Sequence, residues 1–212
     1  MAEAGWTAIG LSRDLEPGAA TGVIVDGREW ALWRGVSGRL RLWEDRCPHR
    51  GMRLSLGFVR DDHFGCLYHG WQYDESGQCT HIPAHPEMKP PAAIRIRGVP
   101  VTESGGVIWA CFADDPPAPP QFPGAIPVRS LHLDAPLAEA TAALGVATPA
   151  PGAGDAYRVE FEGDDWLVAA QKVDDNHSAL HIAAFGDADS VRRAAHWAAA
   201  LRPSLEPAMA EA

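Results

Sequence analysis

Cys47-Pro48-His49 is followed, after sixteen residues, by Cys66-Leu67-Tyr68-His69. The pattern is C-x-H-x16-C-x2-H, in which each of two short segments offers one thiolate and one imidazole. An iron–sulfur cluster with two irons suits this set. Two thiolates on one iron and two neutral imidazoles on the other make the irons unequal, so an added electron stays on the imidazole side. Imidazole is neutral where thiolate is anionic, which raises the reduction potential above that of an all-cysteine cluster. The charge of the oxidised core cancels the two thiolates, and reduction adds a single negative charge, a modest change for a buried site. A structural zinc site with two Cys and two His is the other chemistry open to these residues. Zinc fingers usually pair Cys with Cys and His with His along the chain, whereas here each segment mixes the two types.

Positioning such loops is work for short strands, and the first 113 residues read that way. Gly22 to Asp26 alternates and meets Asp26-Gly27, a strong hairpin signal, with Glu29 to Arg34 as the partner strand. Gly35 to Gly38 makes the next turn before Leu40 to Trp43. Val99 to Val101 and Val107 to Phe112 form another pair around Ser104-Gly105-Gly106. Strands at this spacing indicate a β-barrel or sandwich. Residues 114–127 contain six prolines, which cannot hold helix or central strand and favour an extended spacer. The reading is therefore a first domain at 1–113, a linker at 114–127 and a small α+β domain at 128–212. In the last, strands are expected at Val128 to Leu133, Tyr157 to Glu162 and Trp166 to Val173, with a helix at Leu137 to Leu144. Tyr157, Val159 and Phe161 share one strand face. Asp187 or Asp189 can cap a closing helix that runs to Leu201 and stops at Pro203.

Composition narrows the partners. The 212 residues carry a net charge of −10, placed unevenly: −1 over 1–113 and −9 over 114–212. No run of Lys or Arg exists, so nucleic acid and anionic membrane are poor partners. An acidic surface suits a basic protein partner, and equally suits solubility. No signal peptide and no apolar stretch of membrane-spanning length is visible, which predicts a cytoplasmic protein. Four cysteines, Cys47, Cys66, Cys79 and Cys111, are too few for a disulfide scaffold of this length. Cys79 and Cys111 read as small buried residues, and His63, His81 and His85 as loop histidines.

The stretch from Arg46 to Pro83 resembles the Rieske [2Fe–2S] domain, most closely that of the large subunits of Rieske-type non-haem iron oxygenases. The matching pieces are CPHRG at 47–51, CLYHGW at 66–71, then Tyr73, Gly77 and Ile82-Pro83. DLEPG at 14–18 and VDGREWALWR at 25–34 resemble the opening strands of that domain. The resemblance covers roughly residues 6–113. It implies a mainly β fold and one [2Fe–2S] cluster per chain, with Cys47 and Cys66 on the inner iron and His49 and His69 on the outer. Backbone amides of the loops would approach the sulfurs, with Trp71 and Tyr73 packing over the site, or Trp71 forming plain core. Respiratory Rieske proteins carry a further cysteine in each loop, disulfide-linked. Met52 and Tyr68 stand at those places here, which implies a potential in the lower part of the Rieske range.

The same resemblance raises the question of a mononuclear iron, which the oxygenases hold in a C-terminal helix-grip domain with two His and one carboxylate. Asp174, His177 and His181 come close to the corresponding D-x2-H-x3-H pattern. On a helix, the two histidines would share a face. The family's carboxylate arrives over a hundred residues later, and only 31 residues follow His181. The segment also fits a hairpin with an Asp-Asp-Asn turn, Leu180, Ile182 and Ala184 facing inward and both histidines on the other side. The expectation is thus a Rieske electron carrier with a reduced helix-grip-like second domain. It would take electrons from a reductase or ferredoxin, pass them to an acceptor protein, and could assemble as a homo-oligomer. The alternative is a terminal oxygenase with a compact iron site at Asp174, His177 and His181.

Overall fold

The computed structural model describes residues 5–145 and 147–205. Strand β1 (Trp6–Leu11) is followed by β2 (Ala20–Val25) and β3 (Arg28–Arg34), joined at Asp26-Gly27, and then by β4 (Leu40–Glu44). Both turn residues have positive φ, +49° and +72°, the geometry an Asp-Gly hairpin requires. Four short strands come next: β5 (Phe58–Arg60), β6 (His63–Gly65), β7 (Gln72–Tyr73) and β8 (Cys79–His81). Strands β9 (Gly98–Val99), β10 (Val101–Ser104) and β11 (Val107–Cys111) complete the first half. After them come β12 (Ala125–Leu133), helix α1 (Leu137–Ala142), β13 (Ala147–Pro149), β14 (Ala156–Phe161), β15 (Asp164–Lys172), β16 (Ser178–Phe185) and helix α2 (Ala188–Leu205). The protein is mainly β, as expected. No helix among the described residues is long and apolar enough to cross a membrane.

The chain divides into two compact units, and the division differs from a cut at the proline-rich segment. Residues 15–24 and 28–101 form one unit; the described residues of 5–14, 25–27, 102–145 and 147–205 form the other. The reason lies in strand pairing. β1 lies antiparallel to β11, with Trp6 opposite Cys111, and Trp6, Ala8, Leu11, Val107 and Trp109 share a core with Leu167, Ala169 and Ala183. A pairing between residues a hundred positions apart leaves no local periodicity to read. The proline-rich stretch also ends earlier than expected, because β12 already pairs with β16 at Ala125.

The first unit holds two four-stranded sheets, in the orders β2-β3-β4-β9 and β5-β6-β7-β8. Their shared core is aromatic. The rings of Trp33 and Trp43 lie 4.9 Å apart, with Phe64 5.6 Å from each and Tyr73 6.5 Å from Trp43. Cys47, Cys66 and Cys79 are buried in the same cluster.

The other unit is built on a five-stranded antiparallel sheet, β12-β16-β15-β14-β13. One face packs Leu131, Val159, Trp166, Val168, Leu180 and Ile182 against Ala194, Ala198 and Leu201 of α2. Burying this apolar stripe is what holds the helix on the sheet. Asp187 caps α2, its Oδ1 accepting from the amides of Asp189 and Ser190 at 3.0 Å. One expectation needs correction. α2 runs through Pro203 to Leu205 instead of stopping before it. Phe161, at the end of its strand, is 44% exposed, with its ring centroid 5.7 Å from that of Trp166.

Candidate metal centre

The two predicted loops adopt one backbone design. In the first, the Cys47 amide donates to the Met52 carbonyl and the Gly51 amide to the Cys47 carbonyl, both at 2.8 Å. In the second, the Cys66 amide donates to Trp71 and the Gly70 amide to Cys66, both at 2.9 Å. Each loop closes on a glycine with positive φ, Gly51 at +73° and Gly70 at +68°, a conformation side chains resist. A Cβ at Gly70 would also press on Pro83, 3.2 Å away. Glycine four residues after each cysteine is thus a requirement of the loop.

This shared design sorts the four side chains by type. Cys47 and Cys66 are both 2% exposed and close enough to share a hydrogen bond. His49 is half-buried, His69 is exposed, and their ring centroids lie 4.7 Å apart. One sulfur pair at depth and one imidazole pair near the surface is the arrangement a two-iron cluster with unequal irons needs. A single zinc ion would need its donors to meet at one point. Among the described residues, no three His, Cys, Asp or Glu side chains do so.

Electrostatics around the sulfurs act in opposite directions. Burial pushes the Cys66 thiol up, with Cys47 beside it adding to the rise. The backbone amides of Tyr68 and His69 point at the Cys66 sulfur and oppose that shift. These are the loop amides expected from the glycine-rich sequence. The Tyr73 hydroxyl lies 3.2 Å from Cys47 Sγ, and burial drives its own pKa far up, so it stays a proton donor. Desolvation, then His69 and Arg50, lower the His49 pKa, keeping that ring in the neutral form a metal requires. The donor set therefore fits a [2Fe–2S] group.

Aromatic neighbours complete the site. The Trp71 ring stacks on His49 at 4.2 Å and 7°. Tyr68, read from sequence only as a place without a cysteine, tilts over His69 at 3.8 Å. Tyr73 is buried in the core and also contacts a cysteine sulfur. Cys79 and Cys111 are buried, at 2% and 0% exposure.

A family model of the Rieske [2Fe-2S] domain matches residues 5–100. This stretch of the chain is a Rieske [2Fe–2S] domain. Among curated proteins, the chain is 41% identical over 115 residues to Oxidoreductase NdmD of Pseudomonas putida, covering 54% of this chain and 20% of that protein. It is 38% identical over 140 residues to the 4beta-methylsterol monooxygenase of Methylococcus capsulatus, covering 61% and 37%. The chain thus spans between about a fifth and two fifths of the curated relatives it matches. The fold of Pseudomonas putida NdmA is similar with a TM-score of 0.75 at 17% identity, over 99% of this chain and 82% of that one. Dicamba monooxygenase, solved with non-heme iron and dicamba, gives 0.71 at 19%, over 87% and 76%. At such identities the likeness is one of fold, and it extends beyond the Rieske domain into the second unit.

Asp174, His177 and His181 lie outside that domain. The segment is a hairpin, with β15 paired to β16 and Lys172 opposite Ser178. Asp174 Oδ1 accepts from the amides of Asn176 and His177 at 2.8 and 2.9 Å, and its carboxylate holds His177 Nδ1 at 2.8 Å. His181 lies within the sheet at 1% exposure. Its Nδ1 meets Ser130 Oγ and its Nε2 meets Gln171 Oε1, both at 2.8 Å. Desolvation lowers its pKa to about 3, so the ring is neutral. The structure does not bring the three residues together as one donor set.

Proposed function

We propose that this chain carries single electrons on a Rieske cluster, with Cys47 and Cys66 holding one iron and His49 and His69 the other. The observation that carries the reading is the sorting of four donors, by two loops of one design, into a buried sulfur pair and an outer imidazole pair. When bound, the cluster supplies a one-electron couple. Around it, loop amides and the Tyr73 hydroxyl stabilise charge on the sulfurs, and Trp71 fixes the plane of the His49 ring. A reductase or ferredoxin is the fitting donor and an iron oxygenase the fitting acceptor, the latter because relatives are named as oxygenases. An oxygenase activity is the second reading, favoured by the fold likeness to dicamba monooxygenase over most of the chain.

Metal analysis of anaerobically purified protein separates the two. Two irons and two acid-labile sulfides per chain, with a Rieske-type EPR signal on reduction, are the expected result. Stoichiometric zinc overturns the cluster. A third iron with substrate-dependent oxygen uptake replaces the carrier by the enzyme.

A further inference from the structure

Arg41, Arg95 and Arg97 line a groove of about 440 Å³ where β4 pairs with β9, and Glu75 is the one carboxylate in its wall. A groove of that volume suits a small molecule. Glu75 is already claimed, since Arg39 and Arg41 pair with it at 2.7 and 3.0 Å. The Arg97 side chain is 74% exposed and reaches Glu44 only at 4.0 Å. Arg95 is exposed, forms no ion pair among the described residues and acts on Asp74 only at longer range. The wall therefore keeps a positive excess in a chain whose net charge is −10. Trp43 belongs to the same wall. β9 places Gly98 opposite Trp43, and a Cβ at Gly98 would meet Trp43 Cδ1 at 2.8 Å and Nε1 at 3.3 Å. The indole edge thus lies against a residue with no side chain to shield it. From Trp43 the contacts lead inward. Its ring centroid is 6.5 Å from that of Tyr73, whose hydroxyl lies 3.2 Å from Cys47 Sγ.

We propose that this groove is a second electron port, which takes a small polyanionic one-electron carrier and leads through Trp43 and Tyr73 to Cys47. The proposal rests on the reading that Cys47 holds an iron. Guanidinium groups with charge to spare concentrate small anions from solution and hold them by several donors at once. The negative charge of the rest of the chain repels the same anion elsewhere and so directs it to the groove. Electron tunnelling weakens steeply with distance and is poorer across gaps than through packed atoms. Two aromatic rings in line therefore shorten the route from the groove to the sulfur. Gly98 lets the carrier come as near to the first ring as backbone allows. In the step itself the carrier gives up one electron and the chain gains one. Neither ring is oxidised, and no bond or proton changes hands. The route serves equally in reverse, from the reduced chain to an anionic oxidant. It enters at the sulfur pair and leaves His49 and His69 untouched.

Two probes of one shape and charge test this on the cluster-loaded chain. Hexacyanocobaltate(III), which is redox-inert, should bind at one site per chain by calorimetry, and Arg95→Glu should abolish that binding. Ferricyanide should oxidise the reduced chain in stopped flow at a rate that falls roughly tenfold from low to physiological salt. Arg95→Glu should lower the rate by about the same factor at low salt, with iron content and EPR signal unchanged. Arg97→Glu, also at an exposed position, serves if Arg95→Glu loads poorly. Hexaammineruthenium(III), a small trication, supplies the comparison, because any change in the driving force of the chain reaches both oxidants. Tyr73→Phe should lower the ratio of the ferricyanide rate to the hexaammineruthenium rate severalfold. A loaded chain that binds no hexacyanocobaltate overturns the port alone. So does a ferricyanide rate that follows Arg50→Glu, beside His49, and ignores Arg95→Glu, and so does a ratio that Tyr73→Phe leaves unchanged. A chain that takes up no cluster overturns the carrier reading beneath it.

Discussion

Two histidine pairs fall in ligand-like patterns in this chain, and they meet opposite fates. His49 and His69 sit on loops that turn their rings towards each other, with no hydrogen-bond partner among the described residues claiming them and aromatic rings holding them in place. His177 and His181 belong to one hairpin, where Asp174 takes the first and Ser130 and Gln171 saturate both nitrogens of the second. The comparison teaches that a ligand pattern is only an offer of donors. Whether the offer stands depends on which other partners the backbone brings within reach.

Removing one donor from each region should break the comparison most sharply. Cys47→Ser or Cys66→Ser should abolish the cluster, leaving iron and acid-labile sulfide near background, because a hydroxyl does not replace a thiolate on ferric iron. His181→Ala should leave two irons per chain in place and destabilise the protein by about 2–4 kcal/mol, since Ser130 and Gln171 lose their common partner inside the sheet. Iron counting and denaturant unfolding check both. Loss of a third iron in the double variant His177→Ala/His181→Ala would reverse the assignment of the two regions.

Acid should act on the two regions unequally. The His181 pKa is lowered to about 3 from 6.5, so the unfolded chain takes up a proton that the folded one refuses. Stability is complete above pH 6.5 and is lost as pH falls towards 3, by about 4 kcal/mol from this group. Unfolding curves for the parent and for His181→Gln should converge across that window. Parallel curves would show that the ring is accessible to protons.

A smaller effect should sharpen the view of the sulfur pair. Tyr73→Phe removes the hydroxyl 3.2 Å from Cys47 Sγ. The midpoint potential should fall by some tens of millivolts, because a donor to a thiolate favours the more negative, reduced state. With Met52 and Tyr68 in place of a loop disulfide, the parent value should lie nearer about −150 than +300 mV. Protein-film voltammetry measures both. An unchanged or raised potential in Tyr73→Phe would mean the hydroxyl donates elsewhere.

The candidate centre was largely legible because its instructions are local. Cysteine, histidine and glycine at fixed offsets encode each loop, and Asp26-Gly27 encodes its hairpin, within a few residues. The alternation at Tyr157 to Glu162 located β14, and the apolar run after it located β15. What escaped was non-local or short. β1 declares nothing of its pairing with β11, and β5 to β8 are two or three residues each, too brief for a period to show. The hydroxyl contact of Tyr73 and the tilt of Tyr68 depend on how two loops converge, which no spacing along one chain states.

Ser130, His181 and Gln171 come from β12, β16 and β15, three neighbouring strands of one sheet. Apolar faces rich in alanine, such as Ala169, Ala170, Ala183 and Ala184, would tolerate sliding by two residues with little change in what they bury. The polar chain across them does not tolerate it, because any slip strands a buried imidazole and an amide away from water and from each other. His181 thus acts as an alignment pin, a residue whose contribution is to make every wrong pairing of the three strands expensive.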